Sequence, residues 1–208
     1  VNKKQGKYLE GLDYYHQSLK IYEAIKDNQG MANLYSNIGV IYYDRGDDTK
    51  AVENYLQSLK FAEKAGDKFR ILIALNNIGG IYYDKKATYD KALQYYLKAL
   101  PLCEELGKKE ELGAITVNIG DIYSFLKEDT KALYYYNMSL KAYGNSDGSL
   151  NVYNALGKLY RKEAKYDLAL KNHNLALAIA KKVNNKTSIA QSLMGLGNVY
   201  KEKEDYQT

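Results

Sequence analysis

The sequence predicts an all-α protein, an array of stacked antiparallel helix hairpins, and three observations carry that reading. A single proline in 208 residues disfavours turn-rich sandwiches and barrels and leaves room for long helices. Asn-Ile-Gly followed by Tyr recurs as Asn37-Ile38-Gly39…Tyr42, Asn77-Ile78-Gly79…Tyr82 and Asn118-Ile119-Gly120…Tyr123, with weaker copies at Leu156-Gly157…Tyr160 and Leu196-Gly197…Tyr200. The aromatic content is lopsided, with 23 tyrosines beside three phenylalanines and no tryptophan. Alignment by repeat places fifteen of the tyrosines at recurring positions and leaves eight over.

The signature glycines are spaced 40, 41, 37 and 40 residues apart, enough for two helices each. A small residue follows each glycine by 12 or 13 places: Ala51, Ala92, Ala132 and Ala169. Four residues later come Tyr55, Tyr96, Tyr136 or His173, and seven later Ser58, Ala99, Ser139 or Ala176, a step that marks one helix face. Residues 1–28 therefore hold only a second helix, with Tyr8, Gly11, Tyr15 and Ser18 on its face. Residues 29–66, 67–107, 108–146 and 147–184 are complete hairpins, and 185–208 is a first helix alone, with Tyr206 where the next would begin. Turn signals divide the halves at Asp44-Arg45-Gly46-Asp47-Asp48, Lys86-Ala87-Thr88 and Lys127-Glu128-Asp129. Small residues on both helices let the backbones approach, aromatic rings fill the space between neighbouring hairpins, and only stacking buries a continuous core.

Two irregularities stand out. Pro101 falls inside a second helix and predicts a kink or a local loosening there. The step from small residue to next glycine is 28 residues, except for 25 between Ala132 and Gly157. The shortening falls around Tyr143–Ser149 and predicts a bend or change of pitch. It also divides the charge: residues 1–147 carry 20 basic and 20 acidic side chains, residues 148–208 carry 10 and 5, so the net +5 lies in the last third. Neither end reads as a polar cap, so the chain is expected to be a piece of a longer array or multidomain protein.

The pattern resembles the tetratricopeptide repeat (TPR). Tyr35, Ile38, Gly39, Tyr42, Ala51, Tyr55 and Ser58 fill its signature slots in one repeat. Leu75, Ile78, Gly79, Tyr82, Tyr89, Ala92, Tyr96 and Ala99 fill them in the next. The period near 40, against the usual 34, is similar to the long-repeat branch of kinesin light chains, spindle-orientation adaptors and bacterial signalling proteins. The resemblance implies a right-handed superhelical solenoid of about ten helices. It also implies a scaffold that binds a protein or an extended peptide in a concave groove, as the sensory or adaptor segment of a larger signalling or regulatory protein. The first helix of each hairpin lines that groove at −6, −3, +1, +4 and +5 from the glycine. Those positions hold Asn33, Ser36, Val40, Tyr43 and Asp44, then Ile73, Asn76, Gly80, Tyr83 and Asp84, then Ala114, Val117, Asp121, Ser124 and Phe125. The last two sets hold Asn151, Asn154, Lys158, Arg161 and Lys162, then Gln191, Met194, Asn198, Lys201 and Glu202. Asparagines can both donate to and accept from a peptide backbone, and Tyr43 and Tyr83 offer flat contact area. With acids in the first part and bases in the last, a ligand is expected to place acidic groups toward the C-terminal repeats. The family's carboxylate clamp is not supplied by Ser36 with Val40, Asn76 with Gly80, or Ala114, which argues against a chaperone adaptor.

No catalytic, metal or cofactor constellation is expected. Cys103 has no histidine near it in the repeat pattern, His173 occupies the aromatic packing slot, and His16 is expected to be solvated. The glycines follow the repeat and form no phosphate cradle. The pairs Asp47-Asp48 and Glu104-Glu105 read as helix-end residues. Three aspartates on successive hairpins, about 10 Å apart, are too far from one another for a two-metal site. Nucleic-acid binding by the basic last third is the alternative function; it is disfavoured because basic residues are confined to two repeats without an aromatic ladder. No run approaches the roughly 18 apolar residues of a membrane span and no signal peptide is visible. The expected compartment is the cytoplasm, an extracytoplasmic one staying open for a chain that starts at Val1.

Overall fold

The structure, a computed structural model of the chain, describes residues 3–144 and 146–205, with side chains for 8–144 and 146–204. Tyr206 and Asn145 therefore lie outside the described residues. Among the described residues ten α-helices follow in order: α1 (Lys3–Ala24), α2 (Asn28–Asp44), α3 (Asp48–Ala65), α4 (Lys68–Tyr83), α5 (Tyr89–Glu105), α6 (Lys109–Phe125), α7 (Asp129–Tyr143), α8 (Ser149–Lys162), α9 (Tyr166–Lys182) and α10 (Lys186–Asp205). A 3₁₀ turn, Lys86–Thr88, precedes α5, and no strand occurs among the described residues. The chain forms two compact units, Val1–Leu106 with α1 to α5 and Gly107–Thr208 with α6 to α10.

Four of the signature glycines lie directly under a ring. A methyl group on Gly39 would lie 2.5 Å from the Tyr55 ring, one on Gly79 2.7 Å from Tyr96, one on Gly120 2.6 Å from Tyr136, and one on Gly157 2.7 Å from His173. Each of these four glycines is thus the floor under an aromatic ring of the next helix in its own hairpin. The sequence reading has glycine bringing two backbones together; the structure corrects this, because the space it vacates is filled by a ring. The same ring reaches the neighbouring hairpin: Tyr55 clusters with Ala51, Ile78 and Ile81, and Tyr136 with Ala132, Val152, Leu156 and Leu159. Burying one such side chain contributes about 2 kcal/mol. The serines seven residues after the small residue add a tie of their own, Ser58 donating to the Ala32 carbonyl at 2.8 Å and Ser139 to the Gly113 carbonyl at 2.7 Å.

The tight turns also repeat. Lys26, Gly46, Gly66, Gly107, Lys127, Gly144, Ala164 and Asn184 all have positive φ between 54° and 75°. At most of them the following amide closes back onto the helix, as Asp47 N–H does to Tyr42 at 2.9 Å and Glu128 N–H to Tyr123 at 2.9 Å. Aspartates then cap the next helix: Asp27 caps α2, Asp47 caps α3 and Asp67 caps α4 through side-chain oxygens.

Helix α5 runs on through Pro101. Pro101 and Leu97, whose carbonyl loses its helical partner, are both exposed, and water can serve that carbonyl. The three residues missing between Ala132 and Gly157 come out of helix length: α7 has 15 residues and α8 has 14, where α5 and α9 have 17. Tyr143 closes this shorter corner, its ring lying where methyl groups on Gly113 and Gly148 would be.

The ring-on-glycine contact predicts a specific coupling. Gly39→Ala lowers unfolding stability by about 1–3 kcal/mol through overpacking. In a Tyr55→Leu background the same change costs at least about 1 kcal/mol less, since the obstructing ring is gone. Urea midpoints of the four proteins check this.

Candidate functional site

In the first unit, α2 and α4 lie side by side. Between them, over the top of α3, is a pocket of about 210 Å³ lined by Ala32, Asn33, Ser36, Asn37, Ser58, Phe69, Arg70 and Ile73. Its apolar wall is Ala32, Phe69 and Ile73; its polar wall is Asn33, Ser36 and Asn37, with Arg70 at the start of α4. Asn33 and Asn37 are one helical turn apart and exposed. Three of the predicted groove residues, Asn33, Ser36 and Ile73, thereby come together. Asn37, Phe69 and Arg70 do not figure in the sequence prediction. Phe69 and Arg70 stand ten and nine residues before Gly79, upstream of the positions counted from the family, in the first turn of α4 behind its Asp67 cap.

The other predicted residues of this unit are engaged with one another. Tyr43 Oη donates to Asp84 Oδ2 at 3.2 Å. The Asp84 charge, together with partial burial, raises the Tyr43 phenol above its ordinary pKa. Tyr55 is pushed up to about 12, by burial first and by Asp44 and Tyr43 after it. Tyr83 stacks on Tyr89 with ring centroids 5.7 Å apart and meets Tyr96 edge-on at 6.4 Å. Asp44 is exposed and Asn76 half-buried.

In the second unit, α6 meets α8 and α8 meets α10. Asp121 accepts from Tyr136 Oη at 2.6 Å, and Phe125, Asn151, Asn198 and Lys201 are exposed. The expectation that Asn154 is presented to a ligand is corrected. Asn154 is 7% exposed, its Oδ1 accepting from Ser192 Oγ at 3.1 Å and facing His173 Nδ1 at 3.1 Å. This trio exists because a histidine replaces tyrosine in the ring slot and brings a polar atom into the core. Asn154 Nδ2 and His173 Nε2 remain buried without a hydrogen-bond partner. The basic cluster is also partly spent: Arg161 pairs with Glu202, and Lys162 contacts both Asp129 oxygens at 2.9 Å. Lys158 and Lys201 have no ion pair among the described residues. No group of metal-ligating side chains occurs among them, and no helix there is long and apolar enough to cross a membrane.

A family model for the tetratricopeptide repeat matches residues 1–64, 70–145 and 148–208. The chain belongs to the tetratricopeptide repeat family. This TPR chain is similar to the crystal structure of BtubC (BKLC) from P. vanneervenii, at 24% identity and a TM-score of 0.82 over 100% of this chain and 87% of that one. It is also similar to a Rap protein complexed with Competence and Sporulation Factor, at 19% identity and TM-score 0.70, covering 98% of this chain. A third is the Rap conjugation gene regulator of the plasmid pLS20 in complex with the Phr* peptide, at 17% identity and TM-score 0.68, covering 90%. The TPR chain spans 61% and 53% of those two Rap chains. No curated protein matches the sequence. At these identities the likeness concerns the fold: an all-α TPR array of helix hairpins.

His173 makes the second unit pH-sensitive. Burial first, then Lys158 and Arg161, hold its imidazole below the ordinary value of 6.5. The unfolded chain therefore binds more protons between 6.5 and the lower folded value, and stability present above 6.5 is lost as pH falls through that window. Urea midpoints from pH 7.5 to 5.5 are expected to fall in the native chain and to fall less steeply in His173→Gln, which keeps a partner for Asn154 without titrating.

Proposed function

We propose that the chain is a protein-binding scaffold whose α2/α4 face takes an extended peptide, as the sensory or adaptor segment of a larger signalling or regulatory protein. The observation that carries this reading is the pocket of about 210 Å³ flanked by Asn33 and Asn37. Two carboxamides one turn apart can each donate to a peptide carbonyl and accept from a peptide amide, so they hold backbone independently of sequence. Phe69 and Ile73 then give one ligand side chain an apolar wall, which is where sequence preference enters. The ligand named in the structure of the plasmid regulator, a peptide bound by a chain of this fold, supports the same class of partner.

Neither enzymatic chemistry nor nucleic-acid binding has comparable support. The tyrosines and aspartates that recur along the array bond to one another. In the basic third, Arg161 and Lys162 are ion-paired within their own unit.

A displayed library of linear peptides, panned on the protein, tests the proposal. Selected peptides are expected to lose about tenfold or more in affinity for Asn33→Ala/Asn37→Ala, the loss of one net hydrogen bond or more at each site. Undiminished binding would overturn the assignment of this face. So would tight binding of a single-stranded RNA oligonucleotide with steep salt dependence in place of any peptide.

A further inference from the structure

The pocket has a cation held in place at its mouth, and its neighbours fix what that cation can do. Asp67 caps α4 by accepting from the Arg70 amide at 3.0 Å, and its second oxygen accepts from Gln29 Nε2 at 3.1 Å. The same oxygen lies 3.1 Å from Arg70 Nε in an ion pair. The Asp67 carboxylate is thus occupied on both oxygens, and it orients the guanidinium from behind. Arg70 Nε is buried, yet its approach to Asp67 falls outside hydrogen-bond geometry. Guanidinium presents five N–H donors in a flat fork suited to two parallel bonds with a carboxylate. No described residue other than Asp67 pairs with the Arg70 side chain.

Resting on the peptide-binding reading, we propose that this pocket takes the carboxylate of an acidic side chain of the bound peptide, with Arg70 as its anchor. The methylenes of that side chain lie against Ile73, Phe69 and Ala32, while Asn33 and Asn37 hold the flanking backbone. Arg70 belongs to one repeat alone. The positions nine residues before the other signature glycines are Gly30, Glu111, Gly148 and Ser188, none of them basic. The anchor therefore sets a register for the ligand, which the repeating asparagines cannot do. It also places an acidic group against the first unit, at a position outside the five groove positions that the family resemblance supplies.

The experiment uses mixtures of nonapeptides, acetylated and amidated at the ends, randomised except for a central Glu, Gln or Leu. The readouts are side-chain NMR signals of Arg70 Nε–H and of the Asn33 and Asn37 amides. Central Glu is expected to shift all three and to bind about fivefold or more tighter than central Gln. In Arg70→Gln that preference disappears while the Asn33 and Asn37 signals still respond; in Arg70→Lys it is reduced. Equal binding of the Glu and Gln mixtures with the asparagine signals shifted would overturn the acidic-side-chain assignment and leave the peptide-binding face standing. A Glu preference that survives Arg70→Gln would also overturn it. A central-Gln mixture that matches central Glu once its own C-terminus is left free would reassign the carboxylate to a chain end, against the proposal. If no mixture shifts the asparagine signals, both readings fall.

Discussion

Everything in this molecule depends on a ring lying on a glycine. At Gly39, Gly79, Gly120 and Gly157 the missing Cβ is the space that a Tyr55, Tyr96, Tyr136 or His173 ring occupies. That contact fixes the spacing of the two helices in a hairpin, and the far side of the ring then meets the next hairpin, as Tyr55 meets Ile78 and Ile81. A single residue pair therefore sets both the internal geometry of a repeat and its stacking, which is how the pattern can propagate with a period near 40 and little else held constant. It also accounts for Tyr55, Tyr96 and Tyr136 among the tyrosines. A ring at this place has one polar atom to satisfy, and at Tyr136 the phenol reaches Asp121, the residue just after its own glycine.

The helices and hairpins were legible in the sequence because their determinants are local and periodic. The glycine, the small residue and the aromatic residue recur at fixed steps, and the turns are marked by Gly46, Gly66 and Gly107 with aspartate caps at Asp47 and Asp67. Several tyrosines left over by the repeat alignment also have packing roles: Tyr95 stacks on Tyr82, Tyr135 stacks on Tyr123, and Tyr22 lies over Gly30. What periodicity does not carry is the partner of a polar side chain. Tyr43 reads as a groove contact by position, but its hydroxyl goes to Asp84, 41 residues away. Asn154 reads the same way and is drawn into the core by His173 and Ser192. Arg161 and Lys162 read as free cations, and each finds an acid more than 30 residues distant.

The α2/α4 pocket shows the complementary failure. Counting groove positions from the glycine takes in nothing before the −6 place, whereas the first turn of α4, behind its Asp67 cap, already carries Phe69 and Arg70. The signal was present as an aspartate three residues before an arginine at a helix start. It becomes meaningful only once α2 is known to lie alongside. Residues that recur build the scaffold, and the one that does not recur gives the proposed site its selectivity.

The central claim, that ligand recognition belongs to the α2/α4 face, is tested most directly by site-specific photo-crosslinking. A benzophenone amino acid placed at Asn33 or Ile73 on that face is compared with one at Leu56 or Leu97, exposed on α3 and α5, using peptides selected from the displayed library. The account predicts crosslinks from Asn33 and Ile73 and none above background from Leu56 and Leu97. Crosslinks from α3 and α5 alone would contradict it.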